Sequence, residues 1–284
     1  MERPPAHGPV VYAGEPGAFA EDAVLAAFGD VDRRAVGSFR AVFETLAAGP
    51  TDSAGVIPIE NVVNGTVREN YDLLLEHESA IVGEVVVPVR LSLAALPGQL
   101  LGDIERIYSH IQALGQAEAF LRTRAWQLLT TYNTAGAGKS IAERGERGAA
   151  AVLSPRAAAL FGLEILADDI QDVADNRTRF LVLAPPGAEA PAPLEGGPPR
   201  TTLALAVRNE PGTLLAVLEV FARHGLNMSK LESRPSRERA WEYVFWVDLD
   251  ADGGDPETLS ALAELDTVTT MVRVLGSYPR GRGG

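Results

Sequence analysis

The sequence predicts an α/β protein built in two unequal parts, and three observations carry that reading. Over the first 184 residues, short apolar runs alternate with helix-period segments, the pattern of largely parallel sheets covered by helices. Residues 185–200 hold nine prolines or glycines in sixteen positions, which can sustain neither a helix nor a ladder and read as a linker. Residues 201–280 then follow a strand, helix, strand, strand, helix, strand order. A length of 284 residues suits about two domains.

In the first part, residues 10–13 read as a strand, and Gly14-Glu15-Pro16-Gly17 turns it into a helix over 18–28. Val36-Gly37 closes a second strand, and Ser38 is the expected N-cap of a helix over 39–48. A third strand spans 54–59, with a helix near 68–76. The valine-rich run 80–95 is too long for one regular strand and carries Pro88, so it is expected to cross between two lobes. The alternation then restarts: strands at 104–109, 127–132 and 150–154, helices at 112–122, 139–144 and 157–161, and a last strand at 178–183. Two lobes joined by crossing strands leave a cleft, the usual place for a small ligand.

After the linker, strands at 202–207, 228–233, 242–248 and 269–276 and helices at 212–224 and 256–264 give βαββαβ, the ferredoxin-like order. Leu214, Leu218 and Phe221 recur at helical spacing and are expected to face the sheet. Helices on one side leave the other sheet face and an edge to cover, so a homodimer or homotetramer is expected.

Composition narrows the function. With 46% hydrophobic and 22% charged residues the chain is an ordinary globular protein. Its formal net charge of −13 argues against nucleic acid or an anionic membrane as partner. There is no cysteine, and His7, His77, His110 and His224 show no metal-ligand spacing, so neither metal nor cofactor is expected. Residues 1–9 lack an apolar core for a secretory signal, and no run approaches a membrane span, which reads as cytoplasmic.

Four motifs admit both a functional and a bland reading. Asn133-Thr134-Ala135-Gly136-Ala137-Gly138-Lys139-Ser140 resembles a phosphate loop without its first glycine; it is either an ordinary strand-to-helix turn or an anion site built from helix N-terminal N–H groups. Ser109-His110 cannot form a catalytic pair, because neighbouring strand residues point to opposite faces. Pro58-Ile59-Glu60-Asn61 lies at a strand end, where α/β proteins keep ligands, although turn chemistry explains Asn61, Asn64 and Gly65 equally well. Asn176-Arg177-Thr178-Arg179-Phe180 begins the last strand and, taken alone, is an ordinary strand sequence.

Taken together and in order, these motifs resemble the prephenate dehydratase family: Pro58-Ile59-Glu60-Asn61 with Gly65-Thr66-Val67, Ser109-His110 with Gln112-Ala113-Leu114 and Gln116, Asn133 to Ala137 with Lys139, and Asn176 with Thr178-Arg179-Phe180. Pro211-Gly212-Thr213-Leu214 and Asn227 with Glu232-Ser233-Arg234-Pro235 resemble the ACT regulatory domain that follows it. The resemblance implies a periplasmic-binding-protein-like (type II) catalytic domain over 1–184, with lobe 1 about 8–85 plus 177–184 and lobe 2 about 86–176. It implies conversion of prephenate to phenylpyruvate, carbon dioxide and water, feedback inhibition by phenylalanine, and an ACT domain over 201–280. Arogenate dehydratase, whose substrate bears an amine instead of the keto group, is the alternative enzyme; a non-catalytic amino-acid sensor is the alternative binding protein.

By the same resemblance Thr178 is the catalytic residue, and Asn61, Thr66, Ser109, Asn133, Thr134, Ala135, Gly136, Ala137, Asn176, Arg179 and Phe180 bind substrate. Pro211, Gly212, Thr213, Leu214, Asn227, Glu232, Ser233 and Arg234 are the implied effector residues, with Glu232 taking the effector's ammonium. Two positions depart from the family: Val62 replaces a serine and Ile111 a proline. Chemically, a neutral Thr178 hydroxyl can donate to the departing oxygen, and the Asn133 to Ala137 N–H groups can hold a substrate carboxylate. Alternation along 176–180 puts Asn176, Thr178 and Phe180 on one face and Arg177 and Arg179 on the other, so Arg179 reaches the cleft only through a twist or bulge.

Overall fold

A computed structural model describes residues 8–188, 196–235 and 243–281. The readings that fall on residues 1–7, 189–195 and Glu242 lie outside these.

The elements are β1 (Val10–Ala13), α1 (Phe19–Phe28), β2 (Arg33–Val36), α2 (Phe39–Ala48), β3 (Ala54–Asn61), β4 (Gly65–Thr66), α3 (Arg68–Glu76), β5 (Ala80–Pro88), β6 (Ser92–Ala95), β7 (Arg106–Ser109), α4 (Ile111–Gln116) and α5 (Glu118–Leu121). They continue as β8 (Gln127–Thr130), α6 (Thr134–Arg144), β9 (Ala149–Leu153), α7 (Pro155–Leu160), β10 (Glu164–Ala167) and β11 (Arg177–Ala184). The last group is β12 (Pro199–Val207), α8 (Thr213–Arg223), β13 (Met228–Pro235), β14 (Tyr243–Leu249), α9 (Pro256–Val268) and β15 (Met271–Pro279). Side-chain caps set several helix starts: Ser38 Oγ accepts from Ala41 N at 3.1 Å, Asn133 Oδ1 from Gly136 N at 2.5 Å, and Ser154 Oγ from Ala157 N at 3.1 Å, with Pro155 pre-set as the first residue of α7.

Lobe 1 is one sheet in the order β2-β1-β3-β11-β5, with β4 folded back on β3. Strands β1, β2 and β3 are parallel, and β11 runs antiparallel between β3 and β5. Lobe 2 is a second sheet, β10-β6-β9-β7-β8, in which only β7, β8 and β9 are parallel. The sheets are therefore mixed rather than mainly parallel, because both lobe-crossing segments return antiparallel. The run 80–95 divides into β5 in lobe 1, which continues to Pro88, and β6 in lobe 2, and the chain crosses back between β10 and β11. The expected two-lobed arrangement is present, as two sheets joined by two crossings of the chain.

Period-two burial explains the layering of lobe 1. Val10, Tyr12, Val56, Phe180 and Val182 pack under α1, while Val11, Ile57, Leu181 and Leu183 face α2 and α3. In lobe 2, Leu93, Ile107, Ala150 and Val152 pack on α4 and α5, and an alanine-rich layer lets α6 and α7 approach the other face closely. The single helix expected over 112–122 is broken at Ala117 into α4 and α5.

The C-terminal sheet has the order β13-β14-β12-β15, all antiparallel, with α8 and α9 on one face. Val217, Val220 and Phe221 are the fully buried residues of α8; Leu214 packs partly against them, and Leu218, expected in the core, is only half-buried.

The opposite face of that sheet is not open. Ala204, Val244, Trp246, Leu275 and Tyr278 join Ile57, Tyr71, Ile81 and Leu181 of lobe 1 in one core, with the Tyr71 and Trp246 rings edge-to-face at 4.6 Å. A β carbon on Gly276 would lie 2.0 Å from the Ile81 carbonyl oxygen, so only glycine allows β15 to approach β5 this closely. The need for a second copy to cover this face is thereby removed, because lobe 1 of the same chain covers it.

Candidate active site

The parallel strands of the two lobes present their carboxyl ends to each other. Beyond β1, Gly14 to Gly17 meet the residues beyond β8 and β9: the Ser154 hydroxyl donates to the Gly17 carbonyl at 3.2 Å, Tyr132 Oη donates to Glu15 at 3.1 Å, and Lys139 Nζ lies 2.9 Å from the same carboxylate. Arg156 of α7 reaches back to Glu21, at 2.7 Å, and to Asp22 on α1. Burial raises the Glu21 carboxyl, but the Gly17 N–H, Arg33 and Arg156 outweigh it and hold Glu21 below the ordinary carboxylate value. Asp22 is raised by burial despite Arg156.

At this edge of lobe 1, Thr178 pairs in register with Asn61 at the carboxyl end of β3. Thr178 is 8% exposed, and its Oγ1 accepts a hydrogen bond from Asn61 Nδ2 at 3.0 Å. The same amide donates to Asn176 Oδ1 at 2.8 Å and the Arg177 carbonyl at 3.0 Å, while Asn61 Oδ1 accepts from the N–H groups of Val63 and Asn64. Asn61 thus fixes both strand ends and the loop that follows. Because the Thr178 oxygen accepts here, its own proton is left to donate, and an accepting hydroxyl is a stronger donor. Asn176 is 2% exposed and its Nδ2 has no partner among the described residues. A buried amide without an acceptor is costly unless a ligand supplies one.

In lobe 2, α6 starts where Tyr132 and Lys139 reach Glu15 of lobe 1. Asn133 caps its own helix through Gly136 N, which leaves the N–H groups of Thr134 and Ala135 at the open end. A β carbon on Gly136 would meet Tyr132 Oη at 2.6 Å, so the glycine lets this ring lie against the helix start. The motif is a capped strand-to-helix turn whose first N–H groups are left open.

Four expected site residues are engaged by other contacts. Arg179 points away from Thr178: its guanidinium contacts Asp248 at 2.8 Å, Glu60 at 3.1 Å and Glu84 at 3.2 Å beneath the C-terminal sheet. Strand alternation puts it there, and the register shift falls after it, where Ile59 of β3 is skipped between the partners of Arg179 and Phe180. Burial would lower this guanidinium, but Asp248, Tyr278 and Glu84 hold it above its ordinary value. Phe180 is in the core under α1. Ser109 is fully buried and donates to the Val152 carbonyl at 2.6 Å, and His110 caps α4 by accepting from Gln112 N at 3.3 Å. Thr66 donates to Glu232 of β13 at 2.6 Å. Sequence reading missed Glu84 and Asp248, which surround Arg179; a lone acid inside the valine run 81–87 was the available signal.

In the C-terminal part, Gly212 (φ +89°), Thr213 and Leu214 line a cavity of about 200 Å³ with Arg208, Tyr243 and Phe245. Ser233 pairs with Phe245 and shares the helix-side face. Glu232 and Arg234 do not reach this cavity, because alternation turns them to lobe 1: Glu232 to Thr66, and Arg234 to Asp72 at 3.2 Å. Asn227 donates to Asp250 at 2.6 Å, holding the turn that leads into β13.

The prephenate dehydratase family model matches residues 10–188, and the ACT domain model matches residues 201–267. The chain belongs to the prephenate dehydratase family. It is 37% identical to the arogenate dehydratase/prephenate dehydratase 1, chloroplastic, of Arabidopsis thaliana, over 95% of this chain and 71% of that protein. A solved prephenate dehydratase from Arthrobacter aurescens in complex with L-Phe superposes with a TM-score of 0.86 at 31% identity, covering 98% of this chain and 92% of that one. A structure titled GqqA, a novel type of quorum quenching acylase, superposes with a TM-score of 0.86 at 30% identity, covering 97% and 99%.

The two family departures fall on exposed positions. Val62 is 69% exposed and contributes its N–H to the Arg177 carbonyl at 3.0 Å, a bond any residue but proline supplies. Ile111 is the first residue of α4, where the family's proline is accommodated without loss of a helix bond. No described helix is long and apolar enough to cross a membrane.

Proposed function

We propose that this chain converts prephenate to phenylpyruvate, carbon dioxide and water on the route to phenylalanine, with phenylalanine acting through the ACT domain. The observation that carries this reading is the Asn61–Thr178 pair: a neutral hydroxyl whose oxygen is already engaged, at 3.0 Å, and whose proton is free for a leaving group. The bond from the ring to its carboxylate breaks, and its electron pair enters the ring. The bond to the hydroxyl breaks with its pair, and a proton taken up completes the water. Aromatisation drives the change, so the protein's task is to stabilise charge on the departing oxygen, which Thr178 does as a hydrogen-bond donor in the transition state. Asn176 Nδ2 supplies a second donor beside it, and the N–H groups of Thr134 and Ala135 hold a carboxylate from the opposite lobe.

An acylase would need an activated nucleophile. The recorded side-chain contact to the Thr178 hydroxyl is an amide donor, and no described base accepts its proton, which favours the donor role. For the substrate we favour prephenate over arogenate; kcat/KM for the two, measured side by side, decides it. We further propose self-association through β13, the outer strand of its sheet, where Leu231 is 44% exposed; a monomer by light scattering would refute this. The primary test is incubation with prephenate, following the ultraviolet absorbance of phenylpyruvate with and without phenylalanine. Folded protein that forms no phenylpyruvate would overturn the proposal.

A further inference from the structure

The loop between β1 and α1 carries a carboxylate across the junction of the two lobes. Glu15 Oε1 accepts from Tyr132 Oη at 3.1 Å and Glu15 Oε2 from Lys139 Nζ at 2.9 Å, so each oxygen is met by one donor of lobe 2. A free carboxylate is held in the same way, and here the chain itself supplies the acid. Tyr132 Oη lies 2.6 Å from where a β carbon on Gly136 would stand. The Glu15 carboxylate is therefore one hydrogen bond away from a hydroxyl packed on the first turn of α6, whose open N–H groups favour negative charge.

The pair is built to open. The Glu15 and Lys139 side chains keep 24% and 39% of their surface, so solvent reaches them and their separation costs little. The Glu15 carbonyl is fixed by the Ala18 N–H at 3.0 Å, and a change of side-chain rotamer suffices to release the carboxylate. The lobes stay joined when it leaves, because Ser154 still donates to the Gly17 carbonyl at 3.2 Å and Arg156 to Glu21 at 2.7 Å. Charge indicates what displaces it. Prephenate has two carboxylates and the chain a net charge of −13, so binding calls for a cation within reach. Arg179 is engaged by three carboxylates and Arg156 by two, whereas Lys139 has Glu15 as its one charge partner among the described residues.

We propose that Lys139 and Tyr132 bind a substrate carboxylate, and that Glu15 is a resident carboxylate which occupies them until the substrate displaces it. The inference rests on the reading of the cleft as a prephenate site. The exchange trades one lysine–carboxylate pair for another and sends Glu15 out to water. Competition with Glu15 lowers the apparent affinity, as for any site whose competent state is only fractionally populated.

The test measures KM and kcat for prephenate in the full-length wild type, Glu15→Gln, Lys139→Met, Lys139→Arg and the Glu15→Gln, Lys139→Met double variant, with thermal unfolding to confirm that each is folded. Glu15→Gln keeps the volume and an acceptor for Tyr132 but loses the charge, and is expected to lower KM about threefold. Lys139→Met is expected to raise KM about tenfold, and in both variants kcat should move less than KM. Lys139→Arg should fall between wild type and methionine. The double variant should keep KM at least about threefold above wild type, because the lysine's own contact with substrate is gone. A purely structural bridge has a single bond to lose, so the two single variants would then shift KM in the same direction. That result overturns the proposal, as does a KM that does not fall in Glu15→Gln. A double variant at wild-type KM also overturns it, since Lys139 would then serve only to neutralise Glu15. A wild-type chain that forms no phenylpyruvate overturns the functional assignment itself, and this inference with it.

Discussion

Replacing Thr178 with valine removes one hydroxyl and keeps the shape and χ1 stiffness of the side chain. The structure separates the cost to the fold from the cost to the chemistry. Asn61 Nδ2 loses one of three acceptors but retains Asn176 Oδ1 at 2.8 Å and the Arg177 carbonyl at 3.0 Å, enough for its two hydrogens. Stability should therefore fall by less than about 1 kcal/mol, a shift in Tm of no more than about 4 °C. The transition state loses a donor to the departing oxygen, worth about 2.7–4 kcal/mol, or about 10² to 10³ in kcat. Prephenate affinity should change little, because the hydroxyl is asked to act on charge that develops only as the bond breaks. Thr178→Ser keeps the donor but frees its rotamer, and should fall between wild type and valine. The assay is phenylpyruvate formation across a range of prephenate concentrations, with thermal unfolding of the same samples. A folded valine variant within about threefold of wild-type kcat would refute the argument, since a donor essential to the step cannot be dispensed with.

Three further outcomes follow from the packing. Removing residues 196–284 uncovers Ile57, Tyr71 and Leu181 and leaves Arg179 without Asp248, so the truncated chain should unfold at lower temperature; an unchanged Tm would show that the lobes stand alone, as the linker composition by itself suggests. Gly276→Ala forces a β carbon against the Ile81 carbonyl and should cost about 1–3 kcal/mol by denaturant titration, an unchanged midpoint disproving the close approach. The contact between α1 and α7 should fail in acid. The folded Glu21 value lies below the ordinary 4.5, so its contribution is complete above that value and vanishes as pH falls through the folded one, while the raised Asp22 offsets part of it. X-ray scattering should show the lobes separating only below the ordinary carboxylate range, and Arg156→Met should loosen them at neutral pH; a radius that does not respond to either change would count against the contact.

Much of the fold was legible because local chemistry and burial agree. Alternating apolar residues, Ser38 as a cap, and the proline-rich stretch after Ala184 each act over a few residues, so they mark β1, α2, β11 and the segment boundary without knowledge of the rest. The strand β10 escaped notice because Glu164 to Ala167 is short and half-exposed, and the helix over 112–122 was read through its break because nothing in its sequence interrupts the pattern at Ala117.

The site divides in the same way. Alternation along a strand is a local rule, and it alone separated Thr178 from Arg179. The amino-acid sequence therefore determined the two-part architecture, the order of strands and helices, the motifs shared with the family and the face on which each residue of β11 lies. Only the tertiary structure decided that Asn61 is the partner of Thr178 across 117 positions, that Glu232 meets Thr66, and that the ACT sheet closes on lobe 1 instead of on a second copy. Those pairings depend on register and on the close approach at Gly276, and contacts between distant segments are set by the packing of whole layers, which no window of sequence contains.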